Sequence, residues 1–286
     1  MNYAELLKEK AIEFNSIVCF GMDPVLEKIP IKGKDAEENI TTFYFRIMDS
    51  WKTEGIYPSI VKPNYAFYAQ HGFQGLRALK KVIEKAKEMK IMVLLDVKRG
   101  DIGKTNSAYA KEAFNFWKAD AMTASPFLGT DSVKPLLEAV KGKSLGVYLL
   151  NRTSNAGAND FQSLECNGKP VYMHLSEKIS EWSNEAKGNL GAVVGATSMQ
   201  ELKEISGFFA SKGKEIPLLI PGVGTQGGNA GEVVQALKEA RSNLLIHRIN
   251  SSSALNYAYL EYNTNDFVEA SLKALKKLNK EIGPIT

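Results

Sequence analysis

Residues 94–105 read LLDVKRGDIGKT. An apolar run, Ile91-Met92-Val93-Leu94-Leu95, leads straight into Asp96, Lys98 and Asp101. Charges at the end of a core strand are costly unless they are paired or solvated. The run predicts a strand over 91–98. Alternation along it puts Asp96 and Lys98 on the same side. Asp101 falls past the strand, in a loop opened by Gly100. Alone, the stretch fits either a solvated strand end with one ion pair or a site that needs those charges.

Seven similar runs flank it, at 17–24, 59–67, 121–127, 145–154, 190–197, 217–225 and 244–252. Segments with helical spacing lie between them. Ile40, Phe43, Tyr44, Ile47, Met48 and Trp51 form one stripe, and Val133, Leu136, Leu137 and Val140 another. Met199, Leu202, Ile205 and Phe209 form a third, and Val268, Leu272 and Leu275 a fourth. Strands alternating with helices predict an α/β fold with a parallel sheet. Eight such units in one domain spanning 1–286 fit a (β/α)8 TIM barrel, with a doubly wound open sheet as the competitor. The runs end in Asp23, Lys62, Asp96, Ser125, Thr153, Thr197, Gln226 and Ser251 to Ser253. A barrel would gather these groups around one mouth. The long connection over about 154–190 opens Gly/Asn-rich and continues into a helix, which suits a loop able to move over that mouth.

Composition excludes several classes. A net charge of +4, from 36 basic and 32 acidic residues without a long like-charge block, gives no nucleic-acid footprint. No run approaches the apolar length of a membrane span. The opening MNYAELLKEKAIEF predicts an amphipathic helix rather than a targeting segment. Cys19 and Cys166 show neither metal spacing nor a disulfide framework, so a reducing, cytoplasmic setting is expected. His71, His174 and His247 lack ligand spacing, so no metal is expected. Trp51, Trp117 and Trp182 read as core or interface residues.

The run at 59–67 also carries a lysine, Lys62. Adjacent barrel strands would set it beside Asp96, giving a Lys62-Asp96-Lys98-Asp101 array that presents a fixed field to a substrate. Here the sequence resembles orotidine 5'-phosphate decarboxylase. LLDVKRGDIGKT is similar to that family's D-x-K-x-x-D-I-x-x-T signature. FGMDP resembles its first-strand aspartate, VKPNYAF its second-strand lysine segment, LNRTSN its base-recognition strand and PGVGTQGG its phosphate loop. The RTSN form fits the subgroup of many bacterial and the malarial enzymes.

The resemblance implies decarboxylation of orotidine 5'-phosphate to uridine 5'-phosphate and CO2 in de novo pyrimidine biosynthesis, with no metal or organic cofactor. It implies that Asp96 sits against the departing carboxylate, that Lys98 stabilises charge at C6 and delivers the proton, and that Lys62 orients Asp96 and contacts the ribose. It implies that Asp23 binds ribose hydroxyls with Asn64 nearby, and that Ser154, helped by Thr153 and Asn155, binds the pyrimidine edge. Asp101 and Thr105 are expected to reach the other subunit's site, making the active unit a homodimer with shared sites. The implied partner is a small nucleotide substrate, with no nucleic acid and no membrane.

PGVGTQGG also contains a literal G-x-G-x-x-G at Gly222, Gly224 and Gly227. It follows the seventh strand run rather than a first βαβ unit, so phosphate is preferred to a dinucleotide, with the Gly224 backbone and Gln226 as binding groups. A tight turn that merely needs glycine is the plainer reading. One departure stands out. The resemblance implies an arginine after the eighth strand, and Ser253 occupies that position in RINSSSALNYAY. Arg248, five residues upstream, could serve another role or face the wrong way. Two alternatives follow: an impaired or nucleotide-binding relative, or a sugar-phosphate decarboxylase or aldolase of similar barrel. The latter class uses an acidic metal ligand where Lys62 stands.

Overall fold

The opening residues fold as expected, into a helix at Tyr3–Phe14. Asn2 caps it, accepting from the Glu5 N–H, while the Glu5 side chain bonds the Asn2 N–H in return. The structure, a computed structural model, describes residues 1–224 and 227–285.

Eight parallel strands close a barrel among the described residues. In chain order the strands are β1 Val18–Met22, β2 Ile60–Pro63, β3 Met92–Arg99, β4 Ala121–Ala124 and β5 Gly146–Arg152. They continue with β6 Glu165–Cys166, β7 Lys169–Pro170, β8 Leu190–Val194, β9 Leu218–Ile220 and β10 Arg248–Ser251. The barrel order is β1-β10-β9-β8-β5-β4-β3-β2, and β6 and β7 form a separate hairpin. The fold is therefore a (β/α)8 TIM barrel, not an open sheet. The helical stripes pack outside: Ile40, Phe43, Tyr44, Ile47, Met48 and Trp51 are all buried on helix Ala36–Glu54. Trp117 and Trp182 are buried as well.

The interior is filled by a small apolar cluster that includes Cys19, Ile60, Leu94, Ala121 and Tyr148. The first helix closes the lower end. Its Tyr3 meets Tyr148 edge-on with ring centroids 5.9 Å apart, and its Leu7 carbonyl accepts from Arg248 at 2.6 Å.

Several strands are shorter than their apolar runs predict. The run at 59–67 is a strand only to Pro63, and Tyr65–Ala69 turns into a short helix. A short apolar run cannot distinguish a buried strand from a buried helical turn. The run at 244–252 becomes β10 only at Arg248, because Leu244–Ile246 forms a 3-10 turn. Asn243 starts that turn by accepting from the Leu245 N–H. The connection after β5 is more structured than expected. It holds a 3-10 turn at Ala156–Asp160, the β6–β7 hairpin and helix Val171–Ala186.

Candidate active site

The strand ends form the wall of a cavity of about 480 Å³. Asp23, Lys62, Asn64, Asp96 and Lys98 line one side, and Thr153, Ser154 and Asn155 another. Gly222, Asn250, Ser252 and Ser253 are also on its wall, as is Thr123. Nine of the catalytic and substrate-binding residues expected from sequence therefore meet in one place: Asp23, Lys62, Asn64, Asp96, Lys98, Thr153, Ser154, Asn155 and Ser253.

At the centre Asp96 accepts from both lysines. Lys62 Nζ donates to Oδ2 at 3.0 Å and Lys98 Nζ to Oδ1 at 2.7 Å. Asp23 Oδ1 lies 3.9 Å from Lys62 Nζ. Burial by itself would depress the Lys62 ammonium, but the charges of Asp96 and Asp23 outweigh it and hold it above its ordinary value. Burial would likewise raise the Asp96 carboxyl, and Lys62 and Lys98 together hold it well below the usual carboxylate range. The array is thus a charged triad whose anion is buried and whose Lys98 cation is half-exposed to the cavity.

Regular alternation does not produce this pairing. The register between β3 and β4 shifts between Leu95, opposite Met122, and Arg99, opposite Ala124. Asp96, Val97 and Lys98 thus bulge opposite the single residue Thr123, and Lys98 takes a left-handed φ of 45°. For a non-glycine residue such a conformation costs about 1–3 kcal/mol and persists only where the surroundings impose it. Thr123 supplies that constraint. Its Oγ1 accepts from the Val97 N–H at 3.1 Å and the Lys98 N–H at 2.9 Å, and donates to Asp96 Oδ1 at 2.8 Å.

Thr153 is held by Gln162, which accepts from the Thr153 N–H at 2.9 Å and donates to its hydroxyl at 2.8 Å. Thr153 in turn donates to Asn155 Oδ1. Arg152 ties this segment to Glu201 and Asn159.

Other expected residues lie elsewhere. Asp101 and Thr105 do not line the cavity. Asp101 caps its own turn, accepting from the Ile102 N–H at 2.7 Å, and Thr105 is exposed at the start of helix Gly103–Lys111. Ser125 and Thr197 also stay outside the lining. Gln226 lies outside the described residues. Gly222 and Gly224 have φ of 97° and 95°, a conformation that requires glycine. The Gly224 N–H donates to the Gly228 carbonyl at 3.0 Å, so it is engaged within its own loop, and Gly224 lines a neighbouring cavity instead.

Arg248 points away from the mouth. It is fully buried and donates to the carbonyls of Leu245, His247 and Leu7 at the barrel's lower end. The described cations on the cavity wall are therefore Lys62 and Lys98, both beside Asp96. The opposite end, at Gly222, Asn250, Ser252 and Ser253, is lined by neutral groups. Asn250 was not singled out from sequence. It is 7% exposed, and its Oδ1 has no partner among the described residues.

The chain has relatives with the same combination of barrel and sequence. The sequence model of the Orotidine 5'-phosphate decarboxylase / HUMPS family matches residues 47–247. Orotidine 5'-phosphate decarboxylase of Ralstonia nicotianae is 38% identical, covering 95% of this chain and 94% of its own. The solved OMP decarboxylase of Leishmania donovani superposes with a TM-score of 0.76 at 29% identity, covering 99% of both chains. Leishmania donovani UMP synthase superposes at 0.78 with 30% identity over 99% of this chain, which spans 57% of that longer protein. A match of this extent, over a barrel whose second and third strands bring Lys62, Asp96 and Lys98 together, places the chain in the orotidine 5'-phosphate decarboxylase / HUMPS family.

Proposed function

We infer that the chain converts orotidine 5'-phosphate to uridine 5'-phosphate and CO2. The observation that carries this reading is the Lys62-Asp96-Lys98 triad at the cavity wall. In the reaction the bond between C6 and the carboxylate breaks, and its electron pair stays on C6. The Lys98 ammonium stands as counter-ion to that charge and then donates its proton to C6. Asp96, kept anionic by three donors, faces the departing carboxylate. Asp23 and Asn64 suit the ribose hydroxyls, and Thr153, Ser154 and Asn155 the pyrimidine edge. The neutral end at Gly222, Ser252 and Ser253 would receive the phosphate, and contacts there supply binding energy that is expressed at the transition state.

The reading needs neither a metal nor an organic cofactor. Lys62 places an ammonium where the metal-dependent sugar-phosphate enzymes have an acidic ligand, and it would repel a divalent ion. The active unit is a homodimer. Asp101 and Thr105 lie off their own cavity on an exposed segment. Exposed Ile102, Phe127 and Leu128 sit on the adjoining loops after β3 and β4, apolar surface suited to a second copy. One domain spanning the chain carries the site, and a cytoplasmic setting suits the exposed thiol of Cys166. Among the described residues no helix is long and apolar enough to cross a membrane.

The test follows orotidine 5'-phosphate absorbance with and without a chelator. Conversion that survives chelation is expected. Conversion lost on chelation would return the reading to a metal-dependent enzyme, and binding without turnover would point to a nucleotide-binding relative.

A further inference from the structure

We propose that Thr123 is a positioning residue for the decarboxylation, an inference that rests on the function given above. A hydroxyl has one proton and two lone pairs. The N–H groups of Val97 and Lys98 both fall on the Thr123 oxygen, so its lone pairs are taken. Its proton then has one direction left, toward Asp96 Oδ1. The hydroxyl is therefore locked as a donor to the carboxylate, with no freedom to turn to the substrate.

This lock joins two elements of the reaction. The first is Asp96, which receives Thr123 and Lys98 on Oδ1 and Lys62 on Oδ2. Rotation of the carboxylate would break contacts at both oxygens. The second is the Lys98 backbone, whose left-handed conformation and place in a bulge are not those of a regular strand. Two of the three Thr123 bonds go to the backbone of that bulge. Thr123 is 1% exposed, so its own oxygen rather than solvent satisfies the two N–H groups, although the residue borders the cavity. Without the hydroxyl, β3 gains by relaxing toward regular pairing with β4, and the root of the Lys98 side chain moves. A half-exposed lysine relies on that root and on Asp96 to hold its ammonium where the proton is needed. The contacts suited to ribose, base and phosphate arise on other strands. Loss of the hydroxyl should therefore act on the chemical step rather than on binding.

Two variants test this. Thr123→Val keeps the shape and removes the hydroxyl, and Thr123→Ser keeps the hydroxyl. In Thr123→Val, kcat should fall roughly tenfold to a hundredfold, with KM and the Kd of uridine 5'-phosphate within about threefold. Thr123→Ser should return kcat to within about threefold of the parent. Hydrogen exchange gives a readout independent of turnover: the Val97 and Lys98 amides should exchange about tenfold or more faster in the valine variant alone. An unchanged kcat in Thr123→Val overturns the proposal. So does a parallel loss of kcat and product affinity, or failure of serine to restore, because a packing role would give those results. An inactive parent chain overturns the functional reading and the proposal with it, whereas an active parent with an unaffected valine variant overturns the proposal alone.

Discussion

Lys62 Nζ lies 3.0 Å from Asp96 Oδ2 with both residues buried, the lysine 4% and the aspartate 7% exposed. Each ion is tolerable there because the other is charged. Breaking an isolated buried pair costs about 3–5 kcal/mol. Without Lys62 the carboxylate keeps Lys98 and Thr123 on Oδ1 and loses its partner on Oδ2, so the cost falls toward the lower end of that range. Lys62→Met should therefore lower the urea midpoint, at unchanged slope, by that free-energy loss divided by the slope, and abolish turnover. Adding Asp96→Asn should recover most of the stability and none of the activity. A Lys62→Met protein as stable as its parent would mean that Lys98 and Thr123 alone hold the Asp96 charge.

Lys98→Ala should leave the fold intact and remove decarboxylation. The side chain is half-exposed, so little packing is lost, while the proton donor disappears. General-acid groups contribute about 10²–10⁴-fold, and the counter-ion effect adds to that. Near-normal turnover in a folded Lys98→Ala protein would sink the assignment.

Much of this was legible in the sequence because parallel barrel strands are buried on both faces and read as continuous apolar runs. A charge at the end of such a run, as at Lys62 and Asp96, is conspicuous. Thr123 was not legible, because its role depends on a register shift against β3 that no local pattern carries. Gln162 was missed for a similar reason: it folds back on Thr153 from a connecting loop. Arg248 could not be aimed from sequence either. It opens β10, and its partners on Leu7 and Leu245 appear only once the first helix and a 3-10 turn close the barrel floor.

Mixing inactive Lys98→Ala with inactive Asp101→Ala protein, under subunit exchange, should restore activity if sites are shared. In the mixed dimer one site collects both lesions and the other is intact, so recovery should approach a quarter of parental activity when mixing is statistical. No recovery despite demonstrated exchange would mean that each site is built within one chain.

His247 predicts a pH effect on stability. Burial first, and then the charge of Arg248, push its pKa down to about 3. Its Nδ1 accepts from the Leu218 N–H, and its Nε2 is paired with the Ser242 hydroxyl. In the unfolded chain it takes a proton near the ordinary value of about 6.5. Between these two values the unfolded state binds more protons, so stability falls as pH falls, by up to about 1.4 kcal/mol per pH unit. Urea unfolding at pH 7 and pH 4.5 should show about 2–3 kcal/mol more loss in the parent than in His247→Gln. Equal losses would show that the imidazole protonates within the fold.

Ser253 lines the cavity end where no described cation stands, exposed at the first position of the short helix Ser253–Asn256. A serine offers one hydroxyl to a phosphate that a guanidinium would hold by two charge-assisted bonds. Each such bond is worth on the order of 1.5–3 kcal/mol. Ser253→Arg should therefore raise kcat/KM for orotidine 5'-phosphate by roughly one to two orders of magnitude. It should do far less for orotidine, which has no phosphate to grip. Arg248 does not fill this role, because its three hydrogen bonds all end on backbone carbonyls at the opposite end of the barrel. Arg248→Met should accordingly lower stability and leave KM unchanged. Were Ser253→Arg neutral in a folded protein while Arg248→Met raised KM, the phosphate would be gripped from a direction this fold does not present.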